Sequence, residues 1–441
     1  MQLIKKLIIF ILTLESRLII KRYKPFIVAV TGSVGKTATK DAIFCALSSL
    51  GHIRKTEKSL NSEIGLPLTI IGVPNAWKSL GGWIKNIYIG LEIIFARKSE
   101  VKYPEILVLE IGADHPGDIK KVVKWLRPDI AVITRVGDKP VHVEFFDSPQ
   151  QVFEEKSALA YAVKPGGAVV LFADEPKIVE LGEQIKKEFK EKNKDISVTT
   201  FGVSELASIK GLNYKVNYEN NGPTGFTFDV NADQKNISMK VNKVIGQTFM
   251  YPILAGVAVA KVKGIDVDTI INSVSKYEAP KGRMNIIAGI NGSTLIDDTY
   301  NSSPDAVVAA LESLKSLECS GRKVAVLGDM MELGQYSAEE HRNIGKIISG
   351  YANILVTVGP RAKAIADEAL ASLMNTESIS SYSSSVEAGE ALVNVIKTGD
   401  IVLIKGSQSV RMERVTKILM NDPARATELL VRQEKEWLEK K

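Results

Sequence analysis

The stretch VAVTGSVGKTATKDAI, residues 28–43, constrains the fold more than any other part of the chain. A β-branched run, FIVAV (26–30), leads into a tight glycine turn, and a helical stretch from Lys36 to Leu50 follows at once. Backbone N–H groups at such a helix start, together with the helix dipole, favour a phosphate. The spacing departs from the common phosphate loop, G-x-x-x-x-G-K-[ST]. The glycine ahead of Gly35 is Gly32, and Val30 stands where the first glycine would be. The physics survives the shorter spacing: Gly32, Ser33 and Gly35 shape the cradle, Lys36 can reach terminal phosphates, and the Thr37 hydroxyl can hold Mg²⁺. A mere glycine turn with a solvated lysine is the alternative, and the order of strand, turn, GKT and helix counts against it.

The rest of the chain repeats that rhythm. EILVLEIG (105–112), DIAVIT (129–134) and GGAVVLF (166–172) read as buried strands between helical stretches, so the fold class is α/β with parallel sheets. Residues 196–245 are richer in Thr, Val and Asn, carry the turn NNGPTG (220–225), and read as antiparallel strands. A second α/β rhythm starts near Gly282, with TLIDD, KVAVLG, NILVTVG and DIVLIKGS as its strands. The expected parts are an N-terminal helix (1–25), a central phosphate-binding part (26–280) and a C-terminal Rossmann-like part (281–441). APKGR (279–283) is the expected hinge.

Of 441 residues, 45% are hydrophobic and 24% charged, ordinary for a chain with a good core. Two cysteines, Cys45 and Cys319, exclude a disulfide framework and fit a reducing cytosol. No Cys/His cluster has zinc spacing. The net charge is +6, but residues 1–24 hold Lys5, Lys6, Arg17, Lys21, Arg22 and Lys24 against Glu15 alone, a balance of +5. No broad basic face for nucleic acid is implied. The apolar stretch LIIFILTL (7–14) is too short to span a bilayer, which takes about 20 residues, and Glu15-Ser16-Arg17 makes a poor cleavage site. Two readings stand for residues 1–24: a first helix covering a core, or a helix lying on the inner membrane surface with its cations at the headgroups.

TGSVGKT (31–37) resembles the T-G-[ST]-x-G-K-[ST] loop of the Mur ligases, ATP-dependent amide ligases of peptidoglycan precursor synthesis. The resemblance continues in NSEIGLP (61–67), EIGADHPGDI (110–119), the regions of His142 and Lys156, DDTYNSSPDA (297–306), LGDMMELG (327–334) and IKGSQS (404–409). It covers residues 25–415 in order and is strongest toward the members that add D-alanyl-D-alanine. It implies ATP and Mg²⁺ as cofactors, a peptide or amino-acid acceptor, an amine donor, and an acyl-phosphate route to the amide. The sequence leaves the oligomeric state open.

The resemblance also implies roles. Glu110, at the carboxyl edge of its strand, holds Mg²⁺ or its water; a solvated strand-end charge is the alternative. His142 corresponds to a metal-site histidine, against a turn-stabilising one. Lys156, read alone, is a surface helix lysine flanked by Glu154 and Glu155; the family makes it a lysine open to N-carbamylation. Asn61 belongs to a loop over the acceptor. Arg283 reaches the ATP phosphates when the domains close, and Asp298 and Asn301 border the nucleotide. Lys405, Ser407 and Arg411 face the amine donor, Arg411 through a carboxylate. His115 and His341 hold loops and helix packing.

Three departures from the family pattern stand out. Only about 25 residues precede the first strand, where the family carries a UDP-gripping domain. Arg135 replaces the asparagine before His142, in a loop two residues longer. Thr248 and Pro252 replace a histidine and an asparagine near the nucleotide base. The expected activity is therefore ATP-dependent joining of D-Ala-D-Ala or an amino acid to a peptide resembling a cell-wall precursor. A UDP-free or lipid-linked acceptor, or an amino-acid polymer, is the second reading. A non-catalytic nucleotide-binding partner is the third.

Overall fold

The computed structural model describes residues 2–57, 60, 62–77, 79–137, 143–219, 222–233 and 235–439. In chain order the first half holds α1 (Gln2–Tyr23), β1 (Phe26–Thr31), α2 (Lys36–Ala46), β2 (Ile53–Lys55), α3 (Gly65–Ile71), α4 (Leu80–Phe95), β3 (Ile106–Glu110), α5 (Asp118–Val122), β4 (Ile130–Ile133), α6 (Pro149–Tyr161), β5 (Gly167–Phe172) and α7 (Pro176–Glu191). Strands β6 (Ile196–Gly202), β7 (Ile209–Glu219), β8 (Gly222–Ala232) and β9 (Lys235–Asn242) follow, then helices α8 (Met250–Val262) and α9 (Val267–Val274). The remainder is β10 (Asn285–Ala288), β11 (Thr294–Asp298), α10 (Pro304–Ser316), β12 (Lys323–Gly328), α11 (Ser337–Ile347), β13 (Ile354–Val358), α12 (Lys363–Ala371), β14 (Ile379–Tyr382), α13 (Ser385–Val393), β15 (Ile401–Lys405), α14 (Glu413–Leu419), α15 (Ala426–Leu429) and α16 (Lys435–Leu438).

Among the described residues, a nine-stranded sheet has the order β2-β3-β1-β4-β5-β6-β7-β8-β9, and a six-stranded sheet the order β10-β11-β15-β12-β13-β14. β1, β3, β4 and β5 are buried along nearly their whole lengths, as parallel strands covered by helices on both faces must be. The strand order reverses at β1, which pairs with β3 on one side and β4 on the other. The carboxyl ends of strands at such a reversal form a crevice. The phosphate loop leaves β1 at that crevice.

The expectation of antiparallel strands throughout 196–245 needs correction. β6 runs parallel to β5 and touches β7 in parallel, and among the described residues of that segment the antiparallel pairs are β7 with β8 and β8 with β9. The Thr- and Val-rich composition speaks for strand but not for direction. The connection sets direction: β6 follows β5 through α7, a crossover helix that returns the chain parallel.

Buried apolar residues form one cluster from the first sheet into α10 and α11, and a smaller one between the second sheet and α13 and α14. Cys45 and Cys319 are free. Among the described residues, no helix is long and apolar enough to cross a membrane. Helix α1 packs on α3 and α4. It buries Leu12, Glu15, Ser16 and Ile19, so the core-covering reading holds for that face. Glu15 lies against Gly90 of α4 with neither carboxylate oxygen hydrogen-bonded, and burial pushes its pKa up to about 7.

Candidate active site

The loop after β1 is held by its neighbour strand. Ser33 and Val34 N–H groups donate to the Arg135 carbonyl at 2.8 and 3.1 Å, and Thr134 Oγ1 donates to the Val34 carbonyl at 2.8 Å. Gly32 has φ 148°, and a Cβ there would lie 2.0 Å from Thr134 Oγ1, so no other residue fits without moving that threonine. Gly35 caps α2 in the left-handed conformation. Lys36 folds back, its Nζ 3.3 Å from the Ser33 carbonyl. Burial pushes its pKa down, as does Arg283, against the pull of Glu110 and Asp114.

In the first turn of α2, the chemistry meets β3. Thr37 Oγ1 donates to Glu110 Oε1 at 3.2 Å. Glu110 is buried, its N–H bonded to Thr56 Oγ1 at 3.0 Å and Lys40 Nζ 4.0 Å from its other oxygen. A hydroxyl and a carboxylate side by side supply hard oxygen ligands of the kind Mg²⁺ takes. Asn61 and His142 lie outside the described residues. Among those described, no group of three or more His, Cys, Asp or Glu gathers around a point.

Lys156 is only 2% exposed, which excludes the reading as a surface lysine. Burial, with Lys36 nearby, pushes its pKa down to about 7, against Asp114 and Glu155. Its neighbour Glu155 is a residue whose role was missed from sequence. The carboxylate accepts from the N–H groups of Gly117 at 3.0 Å, Ile119 at 2.7 Å and Lys120 at 3.0 Å, capping α5 and tying loop 112–118 to α6. The only signal was a Glu beside the lysine. The ring of His115 lies tilted at 40° to that of Phe145, centroids 4.9 Å apart, and buried His341 accepts from the Met330 N–H at 3.0 Å, so both hold loops.

The second sheet closes over the loop. Arg283 lies with its guanidinium 4.3 Å from the Tyr300 ring centroid, between the two sheets. Asp298 and Lys405 are register partners at the ends of β11 and β15, joined at 2.7 Å, and Lys405 also donates to the Asn301 carbonyl at 3.0 Å. Lys405 is buried against Asp298, both of them in the wall of a cavity at the phosphate loop, and burial pushes its pKa down. Ser407 Oγ accepts from the Met331 N–H at 2.9 Å. Arg411 is not brought to the site. Its guanidinium is buried against Glu413, the Trp437 carbonyl and the Trp437 ring. Arg135 joins Glu175 and, at 3.3 Å, Asp305 of α10, so it links the two sheets.

Two cavities meet at the phosphate loop. One, lined by Phe172, Phe201, Thr248, Tyr251 and Pro252 as well as Gly35 and Thr37, is apolar and aromatic. Such walls suit a flat base. The other, of about 670 Å³, is lined by Lys36, Glu110, Arg283, Asn301 and Ser407 among others. A nucleotide with its base in the first would carry its terminal phosphate into the second.

Comparison with known proteins agrees with this geometry. Residues 85–260 match the Mur ligase middle domain and residues 282–408 the Mur ligase, glutamate ligase domain. The UDP-N-acetylmuramoyl-tripeptide–D-alanyl-D-alanine ligase of Bacillus subtilis is 27% identical, over 90% of this chain and 76% of its own. The ligase of that name from Mycobacterium tuberculosis (strain CDC 1551 / Oshkosh) is 27% identical, over 90% and 73%. The solved MurF ligase of Thermotoga maritima in complex with ADP is 27% identical with a TM-score of 0.72, covering 93% of this chain and 83% of its own. MurF from Acinetobacter baumannii shares the fold at a TM-score of 0.74 and 24% identity, covering 93% and 80%. With both halves matched in order and nine-tenths of its length aligned to such enzymes, the chain belongs to the Mur ligase family of ATP-dependent, ADP-forming ligases.

Proposed function

We propose that the chain joins D-alanyl-D-alanine to the carboxylate of a cell-wall precursor peptide, with UDP-N-acetylmuramoyl-tripeptide as the first acceptor to test. The observation that carries this reading is the meeting of the phosphate loop with Arg283, Asn301 and Ser407, from segments flanking strands of the second sheet, around one cavity. Amide formation from a carboxylate in water is uphill, and the arrangement fits phosphoryl activation. The acceptor carboxylate attacks the γ-phosphorus, ADP leaves, and an acyl phosphate forms. The donor amine then attacks the acyl carbon. Phosphate departs with one former carboxylate oxygen, and the amine gives up a proton. Lys36 and Arg283 neutralise charge that spreads over the transferring group. Enclosure between the two sheets keeps water from the acyl phosphate.

Thr37 and Glu110 would hold Mg²⁺, His142 with them, and the ion supplies charge neutralisation on the phosphates. An amine with pKa about 7 is substantially neutral at physiological pH, so Lys156 can take up CO₂ as a carbamate with release of a proton. That converts a cation beside Lys36 into an anion. Asn61 sits in the acceptor loop, Asp298 and Asn301 border the nucleotide, and Lys405 acts by holding them. The roles of the hinge at 279–283 and of the parts 26–280 and 281–441 belong to the same reading. The enzyme works in the cytoplasm, with residues 1–24 at the inner membrane surface.

A lipid-linked or UDP-free acceptor is favoured by one observation. Lys5 and Lys6 line a cavity with Ser62, Glu63, Ile64 and Asp114, beside the acceptor loop. Retention of Lys36, Thr37, Glu110 and Lys156 argues against a non-catalytic partner. The test is phosphate release from ATP across UDP-linked, lipid-linked and free peptides, each with D-Ala-D-Ala or single amino acids. Stimulation by the UDP-linked tripeptide with D-Ala-D-Ala supports the first reading. Stimulation only by lipid-linked or free acceptors moves the assignment to the second.

A further inference from the structure

We propose that α1 and α4 together form a docking face for an anionic lipid bilayer, on which they lie flat. The underside of the pair is a built interface. Ser16 Oγ of α1 lies 3.4 Å from the Pro67 carbonyl of α3, Glu15 meets Gly90, and Tyr23 OH donates to the Ile93 carbonyl at 2.9 Å. Arg22 donates to the Ala96 carbonyl, so the carboxyl ends of the two helices are pinned together. Residue 15 meets 90 and residue 22 meets 96, so the helices run side by side in the same sense.

The outer side is apolar on both helices. On α1 it carries Leu7, Phe10, Leu14 and Leu18, and on α4 it carries Leu80, Ile84, Tyr88, Leu91 and Phe95, all exposed. Steps of three and four residues place each set on one helical stripe. Trp77, just ahead of α4, is 79% exposed, and Phe95 is 80% exposed. Single exposed apolar residues are ordinary, but two full stripes on adjoining helices mark a surface that meets another phase or molecule.

The charge pattern selects the occupant. Lys5, Lys6, Arg17, Lys21 and Lys24 are exposed on and after α1, and Lys85, Arg97 and Lys98 on and after α4. The exposed acids of these segments are Glu92 and Glu100, since Glu15 is buried. A second copy docking through this face would set one cationic excess against another. An anionic headgroup layer satisfies it, while the stripes enter the interface and Trp77 and Tyr88 sit at headgroup depth. Neither helix can cross, as noted for all described helices. The amino-terminal end of α1 reaches the cavity of about 480 Å³ beside Ser62–Ile64 and Asp114. On the acceptor reading above, docking holds that loop at the lipid surface; the docking itself stands independently of that reading.

The test is flotation of the full-length protein with phosphatidylcholine vesicles, with and without phosphatidylglycerol, at low and high salt. The wild type is expected to float with the anionic vesicles at low salt. A variant of α4 alone, Ile84→Gln with Tyr88→Gln and Phe95→Gln, leaves α1 and every charge in place. It should bind at least about tenfold more weakly, as loss of three buried apolar groups implies. Equal flotation of that variant overturns the two-helix face, and absence of wild-type flotation overturns membrane docking. A wild-type dimer that this variant splits, without vesicle binding, would assign the face to a second copy. Brominated lipids give a readout without destabilising changes: they should quench tryptophan fluorescence in the wild type and markedly less in Trp77→Phe. Equal quenching in both overturns the placement of Trp77.

Discussion

Thr37 Oγ1 and Glu110 Oε1 lie 3.2 Å apart, joining the first turn of α2 to the end of β3 at the point where the strand order of the first sheet reverses. The contact sets a neutral hydroxyl and an anion beside the phosphate loop. Glu110→Gln keeps the shape and the hydrogen bond but removes the anion. It should raise the Mg²⁺ concentration needed for half-maximal turnover by about tenfold or more and lower the maximal rate. A titration of rate against Mg²⁺ reads this. An unchanged Mg²⁺ midpoint would remove Glu110 from the metal site.

Lys156 supplies a second prediction. Lys156→Ala should cost on the order of a hundredfold in turnover, and acetate or propionate should restore part of it by returning an anion. Wild-type enzyme in CO₂-depleted buffer should slow and recover on adding bicarbonate. Full activity of Lys156→Ala, or rescue by neither acid, would make the buried lysine a packing element.

Glu15 predicts a pH dependence of stability. Its folded-state pKa is raised from 4.5 to about 7 by burial. Between those values the folded state therefore binds more protons than the unfolded one, and stability falls as pH rises through that window. Glu15→Gln removes the titration. It should match wild type near pH 4 and exceed it in thermal midpoint at pH 8, in scans followed by circular dichroism. Equal differences at both pH values would show that Glu15 is not buried as an acid.

Arg283 stands between the sheets, stacked on Tyr300 and close enough to depress the Lys36 pKa. Arg283→Ala should lower turnover by about tenfold to a hundredfold, with a rise in the KM for ATP. Small-angle scattering of the wild type should show compaction with an ATP analogue plus acceptor, and the variant should compact less. Identical profiles with and without ligands would exclude a closing motion at 279–283.

Much of the frame was legible because local signals and fold agree. The glycine turn after FIVAV needs a strand and a helix, and continuous apolar runs need a sheet covered on both faces. What stayed hidden depended on contacts distant in sequence. The burial of Lys156 and the bonds from Gly117, Ile119 and Lys120 to Glu155 are set by tertiary packing, and an i, i+1 pair of charges on a helix carries no trace of either. The engagement of Arg411 with Glu413 and Trp437 depends on a carboxyl-terminal segment folding back. The direction of β6 followed its connecting helix and not its composition. The apolar face of α4 shows helical spacing in sequence, but that pattern fits an inward stripe equally well; only packing shows that it points outward.

The acyl phosphate proposed for this site is tested most directly by oxygen transfer. The acceptor is prepared with ¹⁸O in its reacting carboxylate and turned over with ATP and D-Ala-D-Ala, and the released phosphate is read by mass spectrometry. An acyl-phosphate route leaves one ¹⁸O in each phosphate, with amide product in equal amount, and neither is expected with Lys36→Ala. Phosphate that carries no label while ATP is consumed would show transfer to water, and would contradict the ligase mechanism proposed for this site.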